Sequence, residues 1–177
     1  CMLFSRKKIS QTSSLRGRRA TQSSWAGITF FTKDEFPDLP DGDSVLHWLD
    51  MGTIQVAHDV RANAGTAFNA SPVPGAYVRH EHTGSMHSTH NKSRLSTAVD
   101  FFFSKNDFHK VYSSVVSDDR VGGIGFYFDK IRNGILTPMV HIDTRQERLY
   151  WVTNASGAYI YLHQNPKMYF QIIAQNL

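Results

Sequence analysis

Residues 88–103 read STHNKSRLSTAVDFFF, and residues 138–145 read PMVHIDTR. Each stretch places ionisable groups beside or inside a run of apolar side chains that is typical of a buried strand. Asp100 interrupts the apolar residues of AVDFFF, and His141 and Asp143 alternate with apolar residues in the second stretch. A charge in a buried strand is costly unless a partner compensates it, and a metal ion is one such partner.

The composition predicts one domain without disulfide bonds. The chain has 177 residues, of which 41% are hydrophobic, and this is enough for one sizeable core. Its single cysteine, Cys1, excludes a disulfide framework and a cysteine zinc cluster within the chain. A metal site would therefore use histidine and carboxylate ligands.

The positive charge is concentrated at the N-terminus. Residues 1–25 contain six basic residues and no acidic one, a charge of +6, whereas residues 26–177 contain 13 basic and 15 acidic residues, a charge of −2. This Ser/Thr/Arg-rich segment predicts an extended basic arm that is either solvated or attached to a protein assembly. Nucleic-acid binding is disfavoured, because aromatic residues do not alternate with the charges.

Two kinds of targeting segment are not expected. The longest apolar run is far shorter than the 18 or so residues of a membrane-spanning helix. The basic residues of the N-terminus are not followed by the apolar stretch of a secretory signal peptide, so we expect none. A role outside the cytoplasm would then need another means of delivery.

The order of the elements predicts a small α+β domain in residues 26–177, with a central antiparallel sheet flanked by helices. Helices are predicted from Ser44 to about Ala64, with an irregularity at Met51-Gly52, and from about Asp107 to Ser117 by their apolar spacing. The last 19 residues predict a strand and a short helix. A short strand or an extended entry into the fold is predicted at 25–36, and further strands are predicted at 66–70, 98–103, 122–129, 138–145 and 148–153.

His90, Asp100 and His141 are the predicted metal ligands. Catalytic zinc sites keep three protein ligands of the His and carboxylate type and leave a further position open. The loop before Asp100 is rich in histidine, so His87 is an alternative first ligand, and a solvated loop is also consistent with this composition. In a second arrangement Asp143 would be the ligand and His141 the catalytic group.

The order of these motifs resembles a known family. Ser88-Thr89-His90, Ala98-Val99-Asp100, Gly123–Tyr127 and His141-Ile142-Asp143 are similar to the motifs of zinc peptidases that include D-Ala-D-Ala carboxypeptidases and peptidoglycan L-Ala-D-Glu endopeptidases, particularly phage-encoded members. Hedgehog-type domains are relatives of this family. The resemblance covers about residues 65–152.

The resemblance implies roles for individual residues. His90, Asp100 and His141 would bind zinc, and Arg79 would stabilise the tetrahedral transition state. The chain departs from the family pattern in two places: the interval from His90 to Asp100 is ten positions where seven is usual, and the general-base glutamate before the last histidine is missing. Asp143 shares a strand face with His141 and is the remaining candidate base.

The expected function is that of a zinc peptidase that cleaves stem or cross-link peptides of peptidoglycan, as a virion-associated lysin or an endolysin. The virion or a holin would deliver it to the host cell envelope, and the N-terminal arm would bind other virion proteins. The alternatives are a structural virion protein that keeps the fold with a degenerate site and, third, a nucleic-acid-binding protein that acts through the arm.

Overall fold

A six-stranded sheet organises the part of the chain that the computed structural model describes, residues 17–19 and 27–177. The strands are β1 (Asn69–Ala70), β2 (Ala98–Phe102), β3 (Gly123–Tyr127), β4 (Ile131–Arg132), β5 (Ile135–Leu136), β6 (Met139–Asp143), β7 (Leu149–Thr153) and β8 (Tyr159–Tyr161). The sheet has the order β1-β2-β6-β3-β7-β8, and β4 and β5 form a separate hairpin. The predicted α+β class is confirmed.

The sheet is mixed and not wholly antiparallel as predicted. All neighbouring strands of the sheet are antiparallel except β3 and β7, which are parallel. The β4–β5 hairpin turns at Asn133 and Gly134, whose φ angles of 52° and 76° suit a tight two-residue turn. The chain then returns as β6 beside β3. Because β7 reverses direction again but pairs with the other edge of β3, it must run parallel to β3.

Helix α1 (Met51–Ala64) begins later than the sequence predicts. The side chain of Asp50 caps it by accepting a backbone N–H of the first turn at 3.0 Å, and Gly65 ends it with a φ of 60°. The preceding residues Val45–His47 form a separate 3-10 turn. The single helix predicted from Ser44 to about Ala64 is therefore a 3-10 turn followed by α1, because Asp50 caps a separate helix that begins at Met51.

The other helices confirm the sequence analysis. Helix α2 (Phe108–Ser117) coincides with the predicted second helix, and α3 (Pro166–Asn176) is the predicted C-terminal helix. Of the two alternatives predicted for 25–36, the strand is absent from the described part, residues 27–36, which contain a 3-10 turn at Lys33–Glu35. The strand predicted at 66–70 is reduced to the two residues of β1.

The two faces of the sheet have different roles. Side chains alternate along each strand, so Val140 and Ile142 of β6 lie on the face opposite to His141. Val140 and Ile142 belong to the main apolar core with residues of α1 and α2. On the other face, the strands supply a smaller apolar cluster: Phe102, Tyr127, Met139 and Trp151. Helices therefore cover one face, and the ionisable residues lie on the other.

The predicted arm, residues 1–25, lies largely outside the described residues. Of its length, only 17–19 are described, and they contact the start of α1: Gly17 donates its N–H to the Asp50 carboxylate at 2.6 Å, and the Arg18 carbonyl accepts the N–H of Met51 at 3.0 Å. The extended arm remains a prediction. Within the described ranges, no helix is both long and apolar enough to cross a membrane.

Candidate metal centre

Strand pairing brings Asp100 and His141 together. Asp100 of β2 is the direct partner of His141 on the adjacent strand β6, and both side chains project from the face that the helices leave uncovered. The Nδ1 atom of His141 lies 2.8 Å from Oδ1 of Asp100. Both residues are 5% exposed, so the pair is shielded from water.

His87 completes the group from the loop before β2. Its Nε2 atom lies 3.2 Å from Nδ1 of His141 and 3.3 Å from Oδ1 of Asp100. Three atoms that can each donate a lone pair thus lie close to a common point. His87, Asp100 and His141 could hold a metal ion, and no other such group of three or more occurs in the described part of the chain.

The spacing of these three atoms fits a small divalent cation. Ligand atoms about 2.0–2.1 Å from a tetrahedral ion lie about 3.3 Å from one another. The three separations of 2.8, 3.2 and 3.3 Å are close to that value. Two imidazoles and one carboxylate are also a donor set that zinc accepts in catalytic sites.

His90 does not join this group. His87, which the sequence offers as the alternative first ligand, lies where His90 was predicted. The Nε2 atom of His90 lies 3.0 Å from the Thr83 carbonyl oxygen, and its ring packs on His82 with 4.3 Å between centroids. The backbone turns sharply at this point, because His90 and the two residues after it have positive φ angles. This turn follows the segment that carries His87 and directs His90 elsewhere.

Asp143 supports the centre from behind His141. Its Oδ2 atom lies 2.9 Å from Nε2 of His141, the ring nitrogen that does not face Asp100. The carboxylate also accepts hydrogen bonds from the N–H of Gly123 and from the backbone and side chain of Arg145. Asp143 is fully buried and is placed to orient the His141 ring through Nε2. The role predicted for it, a base that activates water, does not fit this position.

The electrostatics of the centre favour charged forms. Burial alone would lower the pKa of His141, but its hydrogen bonds with Asp100 and Asp143 raise that pKa to about 9. Burial opposes the charged form of Asp100, yet His87 and His141 hold the pKa of this carboxyl well below its usual range. Without a metal ion, His141 is therefore an imidazolium that can donate to a carboxylate at each ring nitrogen.

A cavity of about 340 Å³ opens over the centre. Arg79, predicted to stabilise a transition state, lies in its wall, and its Nε donates to the Gly75 carbonyl at 2.9 Å. Arg145 lines the same cavity and was not predicted. The alternation of residues 141, 143 and 145 on one strand face is the signal that could have identified it. Aromatic side chains complete the wall: Tyr127, Trp151, Tyr159 and Tyr161.

Glycines on β3 make room for these side chains. Gly123 is paired with Asp143, and Gly125 is paired with His141. A Cβ atom on Gly123 would lie 2.0 Å from Oδ2 of Asp143, and one on Gly125 would lie 2.3 Å from the Trp151 indole. Trp151 packs against His141 with ring centroids 4.9 Å apart. The two glycines of the motif GIG therefore leave the space that the side chains of Asp143 and Trp151 occupy.

We expect Gly125→Ala to lower the free energy of unfolding by about 1–3 kcal/mol, because the new methyl group must displace the Trp151 indole. Gly84→Ala is the control, since a Cβ at that position meets nothing within 4 Å. Urea unfolding of both variants measures the difference. Equal stability of Gly125→Ala and the parent would contradict this packing.

Metal affinity should rise with pH. His141, with a pKa of about 9, must lose its Nδ1 proton to become a ligand, while Nε2–H remains bonded to Asp143. One released proton corresponds to about a tenfold gain in affinity per pH unit below pH 9. The stabilisation of the metal-free fold by the imidazolium has the opposite trend: it is complete below the ordinary pKa of 6.5 and is lost as pH rises through about 9.

Competition with a chelator at pH 6.5, 7.5 and 8.5 measures the affinity, and calorimetry in buffers of different ionisation enthalpy counts the protons released. A zinc affinity that is constant over this pH range would contradict the prediction that zinc binding displaces a proton from His141.

Comparisons with known proteins identify no relative: no family model, no curated protein and no solved structure matches the chain.

Proposed function

We propose that this protein is a zinc-dependent peptidase of peptidoglycan stem or cross-link peptides. The observation that carries the proposal is the convergence of His87, Asp100 and His141 at the floor of an open cavity. A fully enclosed site would suit a structural metal, whereas three protein ligands beneath a cleft leave room for a substrate. The resemblance of the motif order to peptidoglycan peptidases supports the substrate class.

Five side chains in and beside the cavity have a task in this proposal. His87, Asp100 and His141 would hold the ion, and Asp143 fixes the ring orientation of His141 through Nε2. A zinc ion bound there supplies Lewis acidity and lowers the pKa of water. Among the described residues, the only hydrogen bond of the Arg79 side chain is the one from its Nε to the Gly75 carbonyl. Its remaining N–H groups can therefore bind a substrate carbonyl or carboxylate.

A second candidate function is metal binding without hydrolysis, in a structural virion protein. The lack of a second carboxylate in the cavity favours it. Among the described residues, Asp100 is the only acidic side chain in the wall, and it belongs to the proposed ligand set. A peptidase of this type would need another group to accept the proton of water. Among the described residues of the wall, Ser85, Tyr159 and Tyr161 are the hydroxyl side chains in exposed or half-buried positions.

The deciding experiment is incubation of purified peptidoglycan with the zinc-loaded protein, followed by mass analysis of the released fragments. Asp100→Asn serves as the inactive control. Peptide fragments released by the parent and not by the variant would support the peptidase and name the bond. Stoichiometric zinc without any released fragment would favour the second candidate.

The basic N-terminal segment is the proposed attachment to other virion proteins, on the basis of its charge of +6 against −2 for residues 26–177. Deletion of residues 1–25 should then reduce incorporation into particles. Normal incorporation of the truncated chain would contradict this attachment. Binding to DNA that weakens steeply with salt would favour the third interpretation instead.

A further inference from the structure

The cavity over the metal centre has two neighbours along the same side of the domain. A middle cavity of about 610 Å³ shares Met86 and Arg145 with it. A third cavity, of about 470 Å³, shares Gly17, Asp50 and Thr97 with the middle one. Because each adjoining pair has common walls, the three form a groove that leads away from the metal centre.

The third cavity, here called the distal pocket, is lined by three cationic side chains around an indole: Arg19, Trp48, Lys92 and Arg94. The guanidinium carbon of Arg19 lies 4.9 Å from the centroid of the Trp48 ring, and Nζ of Lys92 lies 5.5 Å from it. The half-buried ring therefore holds two cations in place by cation–π attraction. The distal end of the groove therefore has three cationic side chains.

The acidic groups near the distal pocket do not neutralise this charge. Among the described residues, Asp50 is the only acid in the wall, and it is 2% exposed and occupied as the cap of α1. Lys92 contacts Asp41 at 3.2 Å, but both side chains are exposed, and such a pair contributes little. Arg94 donates to two backbone carbonyls and not to an acid. Among the described residues, the wall therefore has three cationic side chains and one buried carboxylate, so an anion entering the pocket would meet a net positive charge.

The backbone beside the pocket is held in an unusual conformation. His90, Asn91 and Lys92 have φ angles of 47°, 56° and 66°, so three successive non-glycine residues are left-handed. This conformation costs about 1–2 kcal/mol per residue. It is retained by hydrogen bonds of the turn, such as that from Lys92 N–H to the Thr89 hydroxyl at 3.1 Å. Strain of this kind is frequent where a side chain is positioned for a ligand.

We infer that the distal pocket is an anion-binding subsite that takes a free carboxylate of an acidic stem peptide lying along the groove. The inference rests on the proposed function, because it places the scissile bond of the same peptide at the metal centre. Arg94 links the two ends: its Nε donates to the carbonyl of Ser88, the residue after His87, at 3.0 Å. A carboxylate at Arg94 would thus also stabilise the loop that carries a metal ligand.

The test is equilibrium binding of a soluble stem tetrapeptide with a free γ-D-Glu α-carboxylate, compared with the same peptide carrying an amide there. Calorimetry uses the full-length chain with Asp100→Asn, so that binding is measured without turnover. Arg19→Gln and Lys92→Gln are introduced separately into this background. Arg132→Gln is the matched control, because Arg132 lies over the Phe102 ring and outside the distal pocket.

We expect each pocket variant to weaken binding of the acidic peptide about tenfold and to leave binding of the amidated peptide unchanged. Added salt should reduce the difference between the two peptides. Undetectable binding of the acidic peptide, equal affinities in all variants, or equal losses for both peptides would overturn the subsite.

Hydrolysis of peptidoglycan by the native chain is scored separately. Normal hydrolysis without these binding effects overturns only the subsite, whereas the binding effects without hydrolysis support the subsite and overturn the peptidase.

Discussion

His87→Ala is expected to abolish tight zinc binding, whereas His90→Ala is expected to leave it intact. His87 places Nε2 within 3.3 Å of both other ligand atoms, but the Nε2 of His90 lies against the Thr83 carbonyl. Loss of a ligand should cost more than the 10- to 100-fold that loss of an outer-shell partner costs. Equilibrium dialysis with zinc, at equal protein concentrations, measures both affinities.

The pair of variants is matched because both histidines lie on one loop and each mutation removes one imidazole. Circular dichroism checks that both variants keep the fold. Weaker zinc binding in His90→Ala than in His87→Ala would support His90 as the ligand, as the sequence predicts. Equal zinc binding in both variants would show that neither histidine of this loop is a ligand.

Asp143→Asn is expected to lower both zinc affinity and stability. Asp143 is fully buried and accepts hydrogen bonds from several N–H groups of Gly123 and Arg145 as well as from His141. An asparagine offers one acceptor and turns an NH₂ group towards these donors. We expect zinc affinity to fall 10- to 100-fold and the free energy of unfolding to fall by about 3 kcal/mol, because Arg145 loses its buried partner.

Asp119→Asn is the control for the charge change, since Asp119 is exposed and contacts Arg148 across 3.2 Å at the surface. That variant should change stability by less than about 1 kcal/mol. Zinc titration and urea unfolding of both variants give the comparison. If Asp143 acts as the general base, its variant would instead bind zinc normally and lose only hydrolysis of peptidoglycan.

The pKa shifts agree with this role. Burial opposes ionisation of Asp143, but His141 and Arg145 lower the pKa of its carboxyl far below the usual value. A carboxylate that is difficult to protonate is a poor acceptor of a proton from water near neutral pH. It is, however, well suited to retain the Nε2 proton of His141 and so to present Nδ1 as the ligand atom.

Local pattern was sufficient to predict several elements. Strands β2 and β6 are apolar runs interrupted by single ionisable residues, and helix α2 has apolar residues at helical spacing. The expectation that Asp100 has a compensating partner follows from the cost of burying its charge alone. Local propensity was weaker where one side chain decides the outcome, as at the Asp50 cap that starts α1.

By itself, the sequence determined the α+β class, the strands that carry Asp100 and His141, and the alternation that places Asp143 on the same strand face. Only the tertiary structure decided between His87 and His90, because both lie in one polar loop whose path depends on distant contacts. One such contact joins the hydroxyl of Ser96 to the Tyr77 carbonyl, and another joins the N–H of Thr89 to the Arg79 carbonyl. Hydrogen bonds between such separate segments produce no periodic pattern in the sequence, so local spacing does not predict them.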